Sequence, residues 1–347
     1  MWKKIVMGIL ITLSAVAGFA AAKVQVVFND SMNQISRDYD TQLKNVDLDG
    51  IKVNSDNDIV NILVIGNDAR KDVGYQNDVG LTDTMIIATM DLKHKALKTT
   101  SLMRDSYVEI PGHGHNKLNS AYSFGGIELL YKSIATNFDI KLDGYVEIGL
   151  SAFVDIVDAV GGVEVEVTES EAEYLNSTNY IRKKQYRNVK VGKQTLNGHQ
   201  ALGYCRIRKK GTTVNGLRDD YGRTWRQRTV ISAVFSKVKS MPMPDWIEIA
   251  NKVLKHVKTD LSNDQILGYV TDVVTMGTTD IHQLQVPLEG YYRSAFNGEV
   301  TVGSCLMMTD GNSTDYTTHT NAEALNEFVF KYNGKGNFKF GTFENKE

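Results

Sequence analysis

Asn61-Ile62-Leu63-Val64-Ile65-Gly66 is a short, continuous apolar run closed by a glycine, the pattern of a strand buried on both faces. Thr84–Met90 repeats it, and Ala96–Met103, Tyr107–Ile110, Tyr145–Leu150 and Val163–Val167 are further β-branched runs bounded by glycine or charge. Five or six strands are therefore predicted. Ile127–Phe138 and Ala152–Val160 carry apolar residues at three- and four-residue spacing, as does Trp225–Val238 through Val230, Val234, Phe235 and Val238, which predicts amphipathic helices. Alternating strands and helices predict an α/β class, a three-layer α/β/α sandwich with a mixed central sheet. With only four prolines, no linker and no repeat, residues 59–335 are expected to form one domain, and 336–347 a flexible tail.

The N-terminus carries a separate signal. Met1–Lys4 holds two lysines, and Ile5–Ala22 is uncharged and apolar or small throughout. A bilayer core of roughly 30 Å needs about 20 helical residues, so 5–22 is expected to be a transmembrane signal anchor with residues 1–4 cytoplasmic. Ala20-Ala21-Ala22 before Lys23 leaves a cleaved secretory signal as the alternative. Either way, everything after Lys23 is placed outside the cytoplasm. Residues 23–58, polar and aperiodic, are expected to be a stalk or a short peripheral helix.

A net charge of -2 over 347 residues excludes the broad basic field of a nucleic-acid binder, so a cationic site here must be a local cluster. Cys205 and Cys305 are too few for a disulfide framework or zinc site. One disulfide or two buried free thiols both remain open.

In an open α/β sheet, ligands bind at the carboxyl ends of strands. Asp68 and Arg70 follow the first strand, Arg104 and Asp105 follow Met103, and Asp83 precedes Thr84–Met90. Tyr204-Cys205-Arg206-Ile207-Arg208 reads as a strand that would point Arg206 and Arg208 to one face. Two guanidiniums on one face suit a phosphate between them. Gly222-Arg223-Thr224-Trp225-Arg226-Gln227 opens a helix with Arg223 and Gln227 on one face of its first turn, and a cation there also suggests an anionic partner. His113 and His115 resemble a metal pair, but without a third ligand they are expected to be loop residues. Gly125-Gly126 and Gly161-Gly162 read as turns, since neither carries a nucleotide-loop signature.

In order along residues 60–240, these segments resemble the LytR-CpsA-Psr family of cell-envelope proteins. Asn61 through Arg70 is similar to the family's opening strand, Thr82-Asp83-Thr84-Met85 to its second motif, and Met103-Arg104-Asp105-Ser106-Tyr107-Val108 with Ile110-Pro111-Gly112 to its third. Lys117-Leu118-Asn119-Ser120-Ala121-Tyr122, Asp158 through Val163, and Leu196 through Leu202 running into Arg206 and Arg208 continue the match, and Gly222-Arg223 with Arg226-Gln227 closes it. The resemblance implies a phosphotransferase. Such an enzyme moves a glycopolymer, of teichoic acid or capsular polysaccharide type, from a polyprenyl diphosphate carrier onto peptidoglycan, leaving a phosphodiester. Alternatives are a polyprenyl diphosphate hydrolase and a non-catalytic lipid- or glycan-binding envelope regulator.

By the same resemblance, Asp68 and Asp83 hold Mg²⁺, with Mn²⁺ the alternative, and Arg104, Arg206, Arg208, Arg223 and Gln227 hold the diphosphate. Asp68, Asp83 and Arg104 are the implied catalytic residues. The implied setting is a Gram-positive type cell membrane, with a single-pass anchor, membrane lipid and peptidoglycan as partners, and no nucleic acid. An apolar tunnel for the isoprenoid chain is expected beside the helices at 127–138 and 152–160. The family usually carries an arginine two residues before the motif aspartate, where this chain has Leu81. Compensation by Arg70 or Arg218 and a weaker or altered site are the two alternatives, and activity is expected to be retained.

Overall fold

A computed structural model describes residues 35–38, 41–67, 82–213, 216–242, 257–278, 280–296 and 298–335, with positions 245, 249, 252, 254, 338 and 340. The predicted span 5–22, together with Asp68, Arg70 and Leu81, lies outside the described residues. Among the described residues no helix is long and apolar enough to cross a membrane.

The frame is a seven-stranded mixed sheet. Its members are β1 (Ser36–Arg37), β2 (Ile59–Asn67), β3 (Thr82–Asp91), β4 (Ala96–Leu102), β7 (Gly144–Gly149), β10 (Val257–Thr259) and β11 (Ile281–Val286), in spatial order β1-β10-β7-β2-β3-β4-β11. The β2/β7 and β4/β11 pairs are parallel, whereas β2/β3 and β3/β4 are antiparallel. Asn67 pairs with Gly149 and, across the hairpin, with Thr82, and Met85 pairs with Leu102. The ends of β2, β7 and β4 therefore share one edge with the start of β3. Four further strands, β5 (Ser106–Ile110), β6 (Gly114–Lys117), β12 (Tyr292–Ala295) and β13 (Cys305–Met308), make a second sheet, and β8 (Val163–Val167) and β9 (Gly192–Leu196) a ribbon.

Successive side chains of β2 serve opposite layers. Leu63 and Ile65 are fully buried against α1 (Leu118–Phe138), whose Leu130, Ile134 and Phe138 are equally inaccessible. Each such side chain contributes on the order of 1.5–3 kcal/mol on burial. That helix kinks at Gly125 and Gly126, the latter at φ 64°, ψ -155°, a conformation that favours glycine. The helix α7 (His319–Asn326) adds Ala324 and Leu325 to the same core. On the other face lie α2 (Leu150–Ala159), α3 (Glu169–Ser177), α4 (Gly198–Arg206) and α5 (Asp219–Ser240), packed with the ribbon around Val157, Leu175, Tyr204, Trp225 and Val230. Strand β8 alternates buried Val163, Val165 and Val167 with exposed Glu164 and Glu166. The helix α6 (Asn263–Met276) buries no side chain.

The mixed α/β fold follows the sequence expectation, with several differences. Tyr204–Arg206 is the end of a helix, not a strand. Asn197 and Gln200 form a reciprocal capping box that starts α4, and only from Ile207 does the backbone extend. The helix bearing Arg223 starts earlier than expected, at Asp219. Residues 35–38 and 41–58, within the expected stalk, pack on the domain. There β1 joins the sheet edge beside β10, Leu43 is buried in the core, and Asn54 bridges Ile140. Phe338, within the expected flexible tail, is buried against Phe328 and Tyr332.

Candidate active site

Where the second face of the sheet meets α2, α4 and α5, it encloses a cavity of about 470 Å³, within the range of small-molecule sites. Val64 and Gly66 of β2, Ile86 and Ala88 of β3 and Ile148 of β7 form its floor. Phe153 and Ile156 of α2, Leu202 of α4 and Val230, Ile231 and Val234 of α5 form its walls. The strand read as buried on both faces thus has one face in solid core and the other on this cavity. Polarity changes along α5. Arg223 and Gln227 line one end and Val230, Ile231 and Val234 the rest, a progression of about 16 Å at 1.5 Å per residue. Arg206 and Arg208 join Arg223 and Gln227 in the lining, so four of the five residues expected to hold a diphosphate meet at one cavity. They do so with Arg206 at a helix C-terminus and Arg208 in the extended segment after it, rather than on a strand face.

Two close packings set this geometry. A Cβ at Gly198 would lie 2.3 Å from the Val154 carbonyl oxygen, and one at Gly222 would lie 2.5 Å from that of Leu217. Only glycine lets α4 rest on α2, and α5 on the loop before it. The segment carrying Arg208 is tied down by Arg226, which is fully buried. Its Nη1 and Nη2 donate to the carbonyls of Ile207 and Lys210 at 3.0 and 2.7 Å, and its Nε donates to Glu171 Oε1 at 2.7 Å.

A charge network surrounds the mouth. Arg208 Nε and Arg223 Nη2 each approach Asp220 Oδ1 at 3.1 Å. Arg104 Nε meets Asp105 Oδ2 at 3.3 Å and Lys117 Nζ meets Asp105 Oδ1 at 3.5 Å. The two carboxyl groups hydrogen-bond to each other. Burial raises Asp220 above the usual carboxylate range. It would raise Asp105 too, but the hydrogen bond from Asp220 and the charges of Arg104, Lys117 and Arg223 outweigh it and hold Asp105 low. Arg104, Lys117, Arg208 and Arg223 set four cations around these two carboxyl groups, which leaves net positive charge for an incoming anion.

Arg104 belongs to this network but does not line the cavity. Arg218, expected as a stand-in for the missing arginine, is the exposed N-cap of α5, also outside the lining. Asp83 is the second residue of β3, at the shared sheet edge. Among the described residues no three His, Cys, Asp or Glu side chains gather as a metal site. His113 stacks on Phe124 and His115 on Tyr107, as loop and strand residues. Cys205 and Cys305 are both buried free thiols. Asp220 and Tyr180 are site residues that sequence reasoning missed. The i, i+3 spacing of Asp220 to Arg223 was an available signal for the first.

A model of the LytR_cpsA_psr family matches residues 22–321. The chain belongs to this family. It is 33% identical over 263 residues, 75% of this chain and 79% of the relative, to the polyisoprenyl-teichoic acid–peptidoglycan teichoic acid transferase TagU of Bacillus cereus (strain AH820). To TagT of Bacillus subtilis (strain 168), which carries the same description, it is 30% identical over 290 residues, 82% of this chain and 85% of the relative. Among solved structures, the LytR-CPS2A-psr family protein YwtF (TagT) with bound octaprenyl pyrophosphate lipid superposes with a TM-score of 0.56 at 25% identity. It covers 80% of this chain and 93% of that one.

Proposed function

We propose that this LytR_cpsA_psr family member transfers a glycopolymer from a polyprenyl diphosphate carrier onto peptidoglycan, leaving a phosphodiester. The observation that carries the reading is the joining of one apolar cavity to an arginine-lined mouth. An amphiphile with a long hydrocarbon tail and a diphosphate head needs both. The names of the TagU and TagT relatives and the octaprenyl pyrophosphate bound in the related structure support the same ligand class.

In this reading Arg206, Arg208 and Arg223 donate to the diphosphate oxygens, the Gln227 amide orients them, and Arg104 adds charge at the same edge. The acceptor hydroxyl oxygen bonds to the phosphorus that carries the polymer. The bond from that phosphorus to the bridging oxygen breaks, and polyprenyl monophosphate leaves while the guanidiniums stabilise its growing charge. The hydroxyl proton passes to Asp68 or Asp83.

Those two aspartates are also the proposed Mg²⁺ or Mn²⁺ ligands. Two carboxylates completed by substrate oxygens suit a small hard cation, whereas Asp105 and Asp220 already face Arg104, Lys117, Arg208 and Arg223. When bound, the ion neutralises diphosphate charge. Residues 5–22 are the proposed anchor, holding the domain on the outer side of a cell membrane of Gram-positive type, within reach of a carrier whose tail lies in the bilayer.

The test is full-length protein with polyprenyl diphosphate-linked glycopolymer, peptidoglycan and Mg²⁺. Polymer joined to peptidoglycan is expected, with Arg206→Ala and Arg208→Ala each lowering kcat/KM on the order of 10²-fold or more. Phosphorylated polymer released to water with peptidoglycan present would mark a hydrolase, and no turnover by the unaltered protein overturns the enzyme reading.

A further inference from the structure

Arg228 of α5 is fully buried, and among the described residues no carboxylate pairs with it. Burial therefore pushes its guanidinium down to about 9 from 12.5. An interior cation held only by neutral groups costs free energy, and this one does not line the cavity. Its partners are polar side chains of two neighbouring strands. Nε donates to Gln283 Oε1 at 3.1 Å, and Nη1 donates to Ser101 Oγ at 3.0 Å and to Gln285 Oε1 at 3.2 Å. In the parallel ladder of β4 and β11, Gln283 stands beside Thr99 and Gln285 beside Ser101. One planar fork thus grips both strands from the helix above them.

Gln285 is the node of this network. Its Oε1 also accepts from the Thr224 hydroxyl, and with the oxygen turned to these two donors its Nε2 faces Met103 Sδ at 3.4 Å. Thr224 and Met103 stand on opposite banks of the cavity mouth. Thr224 follows Arg223 and lies one turn beyond Asp220 in α5, and Tyr221 of the same turn donates from its hydroxyl to the Pro287 carbonyl at 3.0 Å. Met103 precedes Arg104 and Asp105, and its N–H donates to the Val286 carbonyl at 2.8 Å. The banks are tied twice, by the Asp105–Asp220 hydrogen bond near the surface and by the Arg228–Gln285 node inside.

We propose that Arg228 is a positioning residue, which through Gln285 fixes the separation of Arg104 from Arg223 so that both cations stand ready when a diphosphate enters. The inference rests on the transferase reading and adds to it a residue that touches no substrate. A guanidinium with donors at fixed angles orients the Gln285 amide, whereas an apolar side chain of similar size would fill the space and leave that amide free to turn. The diphosphate competes with Asp220 for Arg208 and Arg223, so the outer tie weakens as substrate binds and the inner one keeps the spacing. Donors held in place beforehand need no rearrangement as charge develops, and small misplacements of such groups are costly in rate.

The test compares unaltered full-length protein with R228M, R228K, Q285M and R228M/Q285M, using polyprenyl diphosphate-linked glycopolymer, peptidoglycan and Mg²⁺. In R228M, kcat about tenfold lower and KM about threefold higher are expected, the larger loss falling on the chemical step. R228K keeps the charge without the fork and should lose as much. The double variant should be no slower than the slower single one, since the two residues act as a unit. Fluorescence competition reads binding in parallel. Affinity for polymer-free polyprenyl diphosphate should fall about threefold in R228M, while that for the uncharged polyprenol stays within about 1.5-fold. Unchanged kcat in R228M, losses that multiply in the double variant, full activity in R228K, or an equal fall in polyprenol affinity overturns the inference. Should R228M fail to fold, Q285M, which leaves Arg228 its bonds to Gln283 and Ser101, decides by the same readings. If the unaltered protein turns over no donor, the transferase reading fails, and the contrast between diphosphate and polyprenol affinities still decides for or against the tie.

Discussion

Replacing Glu171 with glutamine isolates the tether that holds the Arg208 segment. Glu171 and Arg226 are both fully buried. Glu171 Oε1 accepts from Arg226 Nε at 2.7 Å, and its Oε2 accepts from the Thr168 backbone N–H at 2.8 Å as half of the cap on α3. A glutamine offers one acceptor where two are needed. It also leaves a guanidinium in the interior with only the Ile207 and Lys210 carbonyls and the Tyr204 ring, 5.6 Å away, for company. Removing one partner of a buried ion pair costs about 3–5 kcal/mol. The amide retains part of the hydrogen bonding, so about 3 kcal/mol is expected. Urea unfolding with a slope of about 3 kcal/mol/M should place the midpoint about 1 M lower. The double variant Glu171→Gln/Arg226→Met removes the stranded charge and should regain most of that stability. It should still bind a polyprenyl diphosphate poorly, since residues 207–210 lose their anchor. A single-variant loss below about 1 kcal/mol, or a double variant as unstable as the single, refutes the reasoning.

Gly198→Ala should cost about 2 kcal/mol in the same unfolding assay, because its Cβ would press on backbone atoms of Val154; lipid affinity should fall with it. Ala88→Phe, on the cavity floor, should leave the unfolding free energy within about 1 kcal/mol of the parent while lowering polyprenyl phosphate affinity about tenfold, measured by fluorescence competition. Burial pushes the Cys205 thiol up to about 12 from 9.0. The folded state therefore keeps a proton that the unfolded state releases, so this group's stabilisation is complete below pH 9 and is lost as pH rises toward 12, at up to about 1.4 kcal/mol per pH unit. Cys205→Ala should make the decline of stability between pH 9 and 11 shallower, and native protein should resist alkylation at Cys205 at pH 8.

Sequence patterns were most legible where a side chain's surroundings follow from its neighbours in the chain. The run at Asn61–Gly66, the alternation of Val163, Val165 and Val167, and the apolar spacing beyond Trp225 all became the elements expected. Strand β11 was hidden by its polar face. Gln283 and Gln285 are buried, and they accept from Arg228 at 3.1 and 3.2 Å, so a core position there carries no apolar signature. Arg206 and Arg208 both line the cavity, as their shared spacing suggested, but through a different local structure. Two-residue spacing suggested a strand, while the capping pair Asn197 and Gln200, equally visible, marked a helix. The Asp105–Asp220 pair lay beyond reach of any local pattern, since it joins the segment after β4 to the start of α5.

The contact of Gly198 with the Val154 backbone has a consequence for how such a protein diversifies. Where main chain rests on main chain, a side chain added at Gly198 can only force the two helices apart, so graded adjustment is not available at that contact. Descendants suited to a shorter or bulkier tail must be re-gauged elsewhere, at Ala88 and Thr99 on the floor or Ile231 and Val234 on α5. A preference among carriers is then written in a few side-chain volumes, readable from a sequence once those positions are known.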